Sequence, residues 1–186
     1  MLSATNKKRL IIISTLSVVA LLFNIWLLPF FDVTVALKNI YSLDLLSSYT
    51  MKDINELFNT IGEKGVQQYK IFLIIDTLYL FIYSILGVYI LTYLLNKIGR
   101  LGEIIYKVRW FPLFVGLLDM IENINTLVLL KSFPHISEIY ANFGSFITSA
   151  KWYGASILVG IIICSVFYMI LRNILWKLKT RLSKQL

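Results

Sequence analysis

IFLIIDTLYLFIYSILGVYILTYLL, residues 71–95, carries one charge, Asp76, in an otherwise lipid-like stretch. A helix needs roughly 20 apolar residues to cross about 30 Å of hydrocarbon, and this run has them. It shows no strict alternation of the kind a membrane barrel requires. Three comparable runs surround it, at about residues 10–29, 111–130 and 152–171. The expected fold is therefore all-α: a four-transmembrane-helix bundle with one or two short amphipathic helices on its outer surface. Residues 1–186 form a single membrane domain, with an outer segment at 31–70.

Composition agrees. The chain is 58% hydrophobic with a mean hydropathy of +0.77, beyond the roughly half-apolar content of a soluble domain. The net charge of +8 would suggest nucleic acid in a soluble chain. Here no nucleic-acid motif accompanies it, and the basic flanks suit anionic headgroups instead. Lys7, Lys8 and Arg9 precede the first run; Lys97, Arg100, Lys107 and Arg109 lie between the second and third. Arg172, Lys177, Lys179, Arg181 and Lys184 follow the fourth. Lys38, Lys52, Lys64, Lys70, Lys131 and Lys151 are spread more thinly over the other side. Positive residues stay inside, so both termini are expected in the cytoplasm of a cell with this protein in its cytoplasmic membrane. Trp26 and Trp152 read as outer belt residues, Trp110 and Trp176 as inner ones. The first run is too long for a signal peptide and lacks a small-residue cleavage site after Pro29.

Between the first two runs, Met51, Ile54, Leu57, Phe58 and Ile61 repeat at helical spacing, with Thr50 as a cap and Gly62 as a stop. This predicts an amphipathic helix, lying either on the membrane surface or against the bundle's loops. After Pro134, Ile136, Ile139, Tyr140, Phe143 and Phe146 or Ile147 form another apolar stripe. It predicts a second short outer helix leading into the fourth span. Ser156, Gly160 and Cys164, at four-residue spacing, predict a close helix contact, and Ala150 and Gly154 a neighbouring one. Cys164 reads as a small core residue.

The chemistry lies in the acids. Asp76, Asp119 and Glu122 are among only 10 carboxylates, and each costs about 2.5–3.5 kcal/mol near the centre of a membrane helix. Asp119, Glu122, Asn123 and Thr126 share one face of the third span; Asp76, Tyr79 and Tyr83 share one face of the second. Counting from the flanking lysines, Asp76 sits roughly 9 Å and Glu122 roughly 13 Å below the outer end at 1.5 Å per residue. Asn24 lies at a similar level, and Lys151 could reach down by snorkelling. The expected site is a polar pocket in the outer half of the bilayer. Its candidates are Asp76, Asp119, Glu122, Asn123, Tyr79, Asn24 and Lys151, with Asp119 as the floor.

Such a pocket would bind or help move a lipid headgroup, a small cationic amphiphile or protons. The alternatives are a membrane-embedded acid–base enzyme acting on a lipid-like substrate, and a structural or partner-binding subunit of a membrane complex. No metal site is expected, since no histidine lies in a span and His135 falls in a loop. No cofactor is expected. Gly62 and Gly65 follow a helix rather than a strand and read as a turn, not a phosphate loop. Membrane lipids and a membrane-protein partner are the expected partners, and nucleic acid is not.

Gly62, Gly65, Tyr69, Asp76, Tyr79, Pro112, the Asp119-x-x-Glu122-Asn123 motif and the Lys151–Trp152 pair carry a resemblance. The chain after residue 50 resembles a bacterial family of small four-helix integral membrane proteins without an assigned function. That family commonly has arginine after the second glycine, where this chain has Val66. The resemblance implies topology and no activity.

Overall fold

The computed structural model describes residues 4–34 and 41–182. Lys38 and Lys184 lie outside the described residues, as do the side chains of Arg100, Trp176, Lys177, Lys179 and Arg181. The described residues form helices joined by short turns, with no strand among them, and four of the helices are long and apolar enough to cross a membrane: Lys7–Phe31, Met51–Ile98, Tyr106–Ser132 and Glu138–Leu175. Helix α1 (Ala4–Leu22) runs through a π-helical turn, Phe23–Leu27, into α2 (Leu28–Phe31). Pro29 has no N–H to give the carbonyl of Ile25, and the backbone just before it widens so that the Leu28 N–H reaches Phe23 instead. The first span thus continues past Pro29 rather than ending there.

A 3₁₀ turn, Leu43–Leu45, precedes the long helix α3 (Met51–Ile98). Thr50 caps α3 with a reciprocal box: the Asp53 N–H donates to Thr50 Oγ1 and the Thr50 N–H to Asp53 Oδ2, at 3.4 and 2.6 Å. Gly62, at φ 61° and ψ −174°, kinks α3 between its amphipathic start and the membrane-length part. That conformation is essentially reserved for glycine. The turn expected at Gly62–Gly65 is therefore a kink within one helix. Short α4 (Arg100–Ile104) and the 3₁₀ turn Tyr106–Trp110 return the chain to α5 (Phe111–Ser132), which opens with Pro112 in its first turn. The last helix, α6 (Glu138–Leu182), is continuous over 45 residues, about 67 Å at the α-helical rise.

α5 packs between α3 and α6, while α1 and α2 lean on α3. The hydrophobic core sits at the end of the bundle that carries residues 41–62, called the cap end here. It joins Leu43, Tyr49, Ile54 and Phe58 of the cap to Tyr69, Phe72 and Leu129. The helix at 51–61 buries Ile54, Leu57 and Phe58 and exposes Lys52, Glu56, Asn59 and Thr60. Of its two expected positions, the one against the bundle is observed.

Beyond Gly62 the buried face becomes mixed, with Phe72, Leu73, Leu80, Leu91 and Leu95 still inside. α3 exposes Ile71, Ile74, Leu78, Phe81 and Ile85 while it buries Asp76, Ser84 and Gly87. Lipid offers no hydrophobic reason for apolar side chains to face each other, so polar and small groups turn inward to find partners. Three expectations for α6 are overturned: a separate outer helix, a helix contact at Ser156, Gly160 and Cys164, and Cys164 as a core residue. No separate outer helix precedes the fourth span, because residues from 138 onward already belong to α6. Its apolar stripe faces outward, with Ile139 77% and Phe146 68% exposed, whereas Ala141, Gly144, Ile147 and Thr148 are buried. The ridge of Ser156, Gly160 and Cys164 is also no contact: Ser156 and Cys164 are exposed, and Gly160 meets nothing within 4 Å. Gly154 is the small residue that packs, against Val115.

Candidate functional site

Three helices bring the acids together just beneath the cap. Glu122 is fully buried at 0% exposure, Asp119 at 6% and Asp76 at 8%. On α5 the first two lie three residues apart, hence on one face. Thr148 and Lys151 have the same spacing on α6. Lys151 is the centre. Its Nζ lies 3.1 Å from Asp119 Oδ1 and makes a second ion pair with Glu122 Oε2. It also donates to the backbone carbonyl of Asp44 at 3.4 Å. An ammonium has three N–H donors and no acceptor, so these three oxygens match its capacity.

The remaining oxygens are also engaged. Tyr83 Oη donates to Asp119 Oδ2 at 2.7 Å, and Thr148 Oγ1 donates to Glu122 Oε1. Asp76 stands apart from the ion pairs: Asn123 Nδ2 donates to its Oδ2 at 2.9 Å and also to Thr77 Oγ1 at 3.2 Å. Asn123 Oδ1 is buried without a hydrogen-bond partner. Close backbone approach makes these contacts possible. A Cβ on Gly116 would fall 2.1 Å from Ser84 Oγ, so glycine lets α5 sit hard against α3.

The cap closes over this set. Trp152 Nε1 donates to the Asp44 carbonyl at 3.1 Å, the Tyr49 N–H to Ser145 Oγ at 2.9 Å, and Ser149 Oγ to the Ser47 carbonyl at 2.8 Å. Leu43 N–H donates to Tyr69 Oη at 3.0 Å. Trp152 is thus a tether within a continuous helix rather than a residue at a helix end. Burial pushes the Asp44 carboxyl up from its ordinary value, with the Lys151 charge opposing. Burial and the charge of Glu122 push the Tyr49 hydroxyl up to about 12.

Of the expected residues, Asp76, Asp119, Glu122, Asn123 and Lys151 meet in this cluster, with Asp119 bridging Lys151 and Tyr83. Asn24 does not join it. Asn24 is exposed on α1's π-helical turn, where its amide bonds Tyr79 at the margin of the bundle. Lys151 comes from the body of α6 rather than snorkelling down from a helix start. Thr148, Tyr83 and Asp44 complete the cluster and were not among the candidates. Thr148 could have been found three residues before Lys151; Asp44 lies in a three-residue 3₁₀ turn too short to carry a periodic signal. Comparison with family models, curated proteins and solved structures finds no match to this chain.

Proposed function

We propose that this protein binds a proton or a small cationic group at the Asp76 side of a capped acidic cluster, and so acts as a proton- or cation-responsive element of the membrane. One observation carries the reading. Lys151 is consumed by Asp119 and Glu122, while buried Asp76 has the neutral Asn123 amide as its hydrogen-bond donor. Asp76, Asp119 and Glu122 share the cluster with one ammonium, which pairs with the last two only, and a buried charge without a counter-charge is too costly to keep. A proton or a cation offsets the surplus. The cap over Lys151 favours so small a ligand above a lipid headgroup or a cationic amphiphile, the larger ligands that an acidic pocket would also attract.

We also infer that both termini face the cytoplasm of a cytoplasmic membrane, on the basic flanks described above, and that the chain belongs to the bacterial four-helix family it resembles. Reporter fusions at each terminus test the first of these.

The decisive experiment is infrared difference spectroscopy of the reconstituted protein across a pH titration. A protonated-carboxyl band lost in Asp76→Asn and retained in Asp53→Asn is the expected result. A native extract examined by mass spectrometry separates the other readings. Copurified lipid lost in Glu122→Gln would indicate a headgroup site, turnover of that lipid an acid–base enzyme, and a stoichiometric protein partner a subunit. If Asp76→Asn, Asp119→Asn and Glu122→Gln together stabilise the protein and alter neither ligand, transport nor growth, the proposal fails.

A further inference from the structure

At the opposite end of the bundle, where α1 begins, a groove of about 550 Å³ opens between α1, α3 and α5. Its walls are Ile12 of α1, Ile85, Val88 and Tyr89 of α3, and Leu113 of α5. Trp110 and Thr92 also line it, as do Lys8 and Arg9, which come about one turn before Ile12 on α1. No carboxylate lines it. Among the described residues neither Lys8 nor Arg9 takes part in an ion pair, both ion pairs there being made by Lys151. From Ile85 to Thr92 the wall rises about 10 Å, two helical turns. That is room for a stretch of acyl chain.

We propose that this groove is a specific site for one anionic glycerophospholipid, its phosphate held by Lys8 and Arg9 and an acyl chain lying between α1 and α3. Three features of the groove point to this occupant. Its only charged lining residues, Lys8 and Arg9, are positive. The walls below are apolar, as a chain requires and a free anion does not. The indole of Trp110 and the hydroxyls of Tyr89 and Thr92 supply the amphipathic and polar contacts typical of the headgroup boundary. Basic pockets between membrane helices at this level are a recurring way to hold anionic headgroups. The site is remote from the acidic cluster, and the proposal does not depend on the reading given for that cluster.

The test is native mass spectrometry of the full chain released from nanodiscs of equal parts phosphatidylcholine and phosphatidylglycerol. The unmodified protein should retain phosphatidylglycerol preferentially. With about fivefold per cation, Lys8→Ala with Arg9→Ala should reduce that preference by about 25-fold, whereas Lys52→Ala with Lys64→Ala at the cap end should leave it unchanged. Val88→Trp fills the groove without touching the charges, and retention of phosphatidylglycerol should fall with it too. Unchanged preference in the Lys8/Arg9 variant, or unchanged retention in Val88→Trp, overturns the proposal. So does complete displacement of the lipid by soluble glycerol phosphate, which would show an anion site that needs no chain. Should the double variant not fold, the Val88→Trp arm decides alone.

Discussion

Lys151 has two carboxylate partners and a backbone carbonyl within reach in a setting with little water. Lys151→Met leaves Asp119 and Glu122 facing each other unpaired. Removing one member of a buried ion pair costs about 3–5 kcal/mol, so this variant should melt well below the parent in detergent. Adding Asp119→Asn and Glu122→Gln to it should recover most of the loss, because the charges left behind, rather than the missing lysine stem, are what destabilise. If the triple variant is as unstable as the single one, the cluster is not held by charge balance. Asp44 makes a pH-dependent prediction. Its carboxyl is pushed above the ordinary 3.8 in the folded chain, so the folded state holds that proton more tightly than the unfolded one. The stabilisation is full below pH 3.8 and is lost as pH rises through the folded value. Hydrogen exchange of residues 41–50 should accelerate across that window in the parent and show less dependence on pH in Asp44→Asn.

Helices α3 and α6 each depend on one feature that keeps two regimes joined. In α3 it is Gly62, whose φ of 61° lets a helix that buries its apolar face in the cap continue as one whose buried face also holds Asp76, Ser84 and Thr92. Gly62→Ala should destabilise by about 1–3 kcal/mol, the usual cost of such a backbone conformation in a residue with a Cβ, as read by thermal or denaturant unfolding. In α6 it is Gly144. A Cβ there would lie 2.1 Å from Tyr49 Oη and 2.2 Å from Asn125 Nδ2. Gly144→Ala should therefore loosen the cap, by about 1–3 kcal/mol for an overpacked contact, and accelerate exchange at 41–50 without affecting the far end of α6. At that far end, Arg172 donates to the carbonyls of Lys97 and Ile98, at 2.7 and 2.8 Å, where α3 runs out of intrahelical donors. Arg172→Ala should fray the last turn of α3, visible as faster exchange at residues 94–98.

Taken together, the molecule has two unlike halves. At the cap end, apolar side chains face inward and charged ones outward, as in a water-soluble domain. Along the spans polar groups such as Asp76, Asp119 and Glu122 are buried beside Leu73, Leu80 and Val115, and many Ile, Leu and Phe side chains face outward. The acidic cluster lies just beneath the cap, where the two regimes meet. Residues 41–50 hold it shut through backbone contacts to α6 that span a hundred positions of sequence. Opening the cap is therefore the movement that would expose Lys151 and the acids to solvent.

Much of this was legible in the chain itself. Uninterrupted apolar runs of sufficient length dictate helices of spanning length, since every buried N–H must bond within its own segment. The three- and four-residue spacings on α5 place Asp119, Glu122 and Asn123 on one face, and the cost of burying them required partners. Thr50 and Gly62 marked the limits of the amphipathic helix. What periodicity could not decide was which way a stripe turns. The stripe at 139–146 faces outward, and Ser156, Gly160 and Cys164 touch no helix, because in lipid it is the polar and small face that seeks company. Nor could spacing show that Lys151 sits inside a continuous helix with its ammonium between two acids, or that Asp44 folds back over it. Those contacts join residues far apart in sequence, and only packing three helices and a loop against one another decides them.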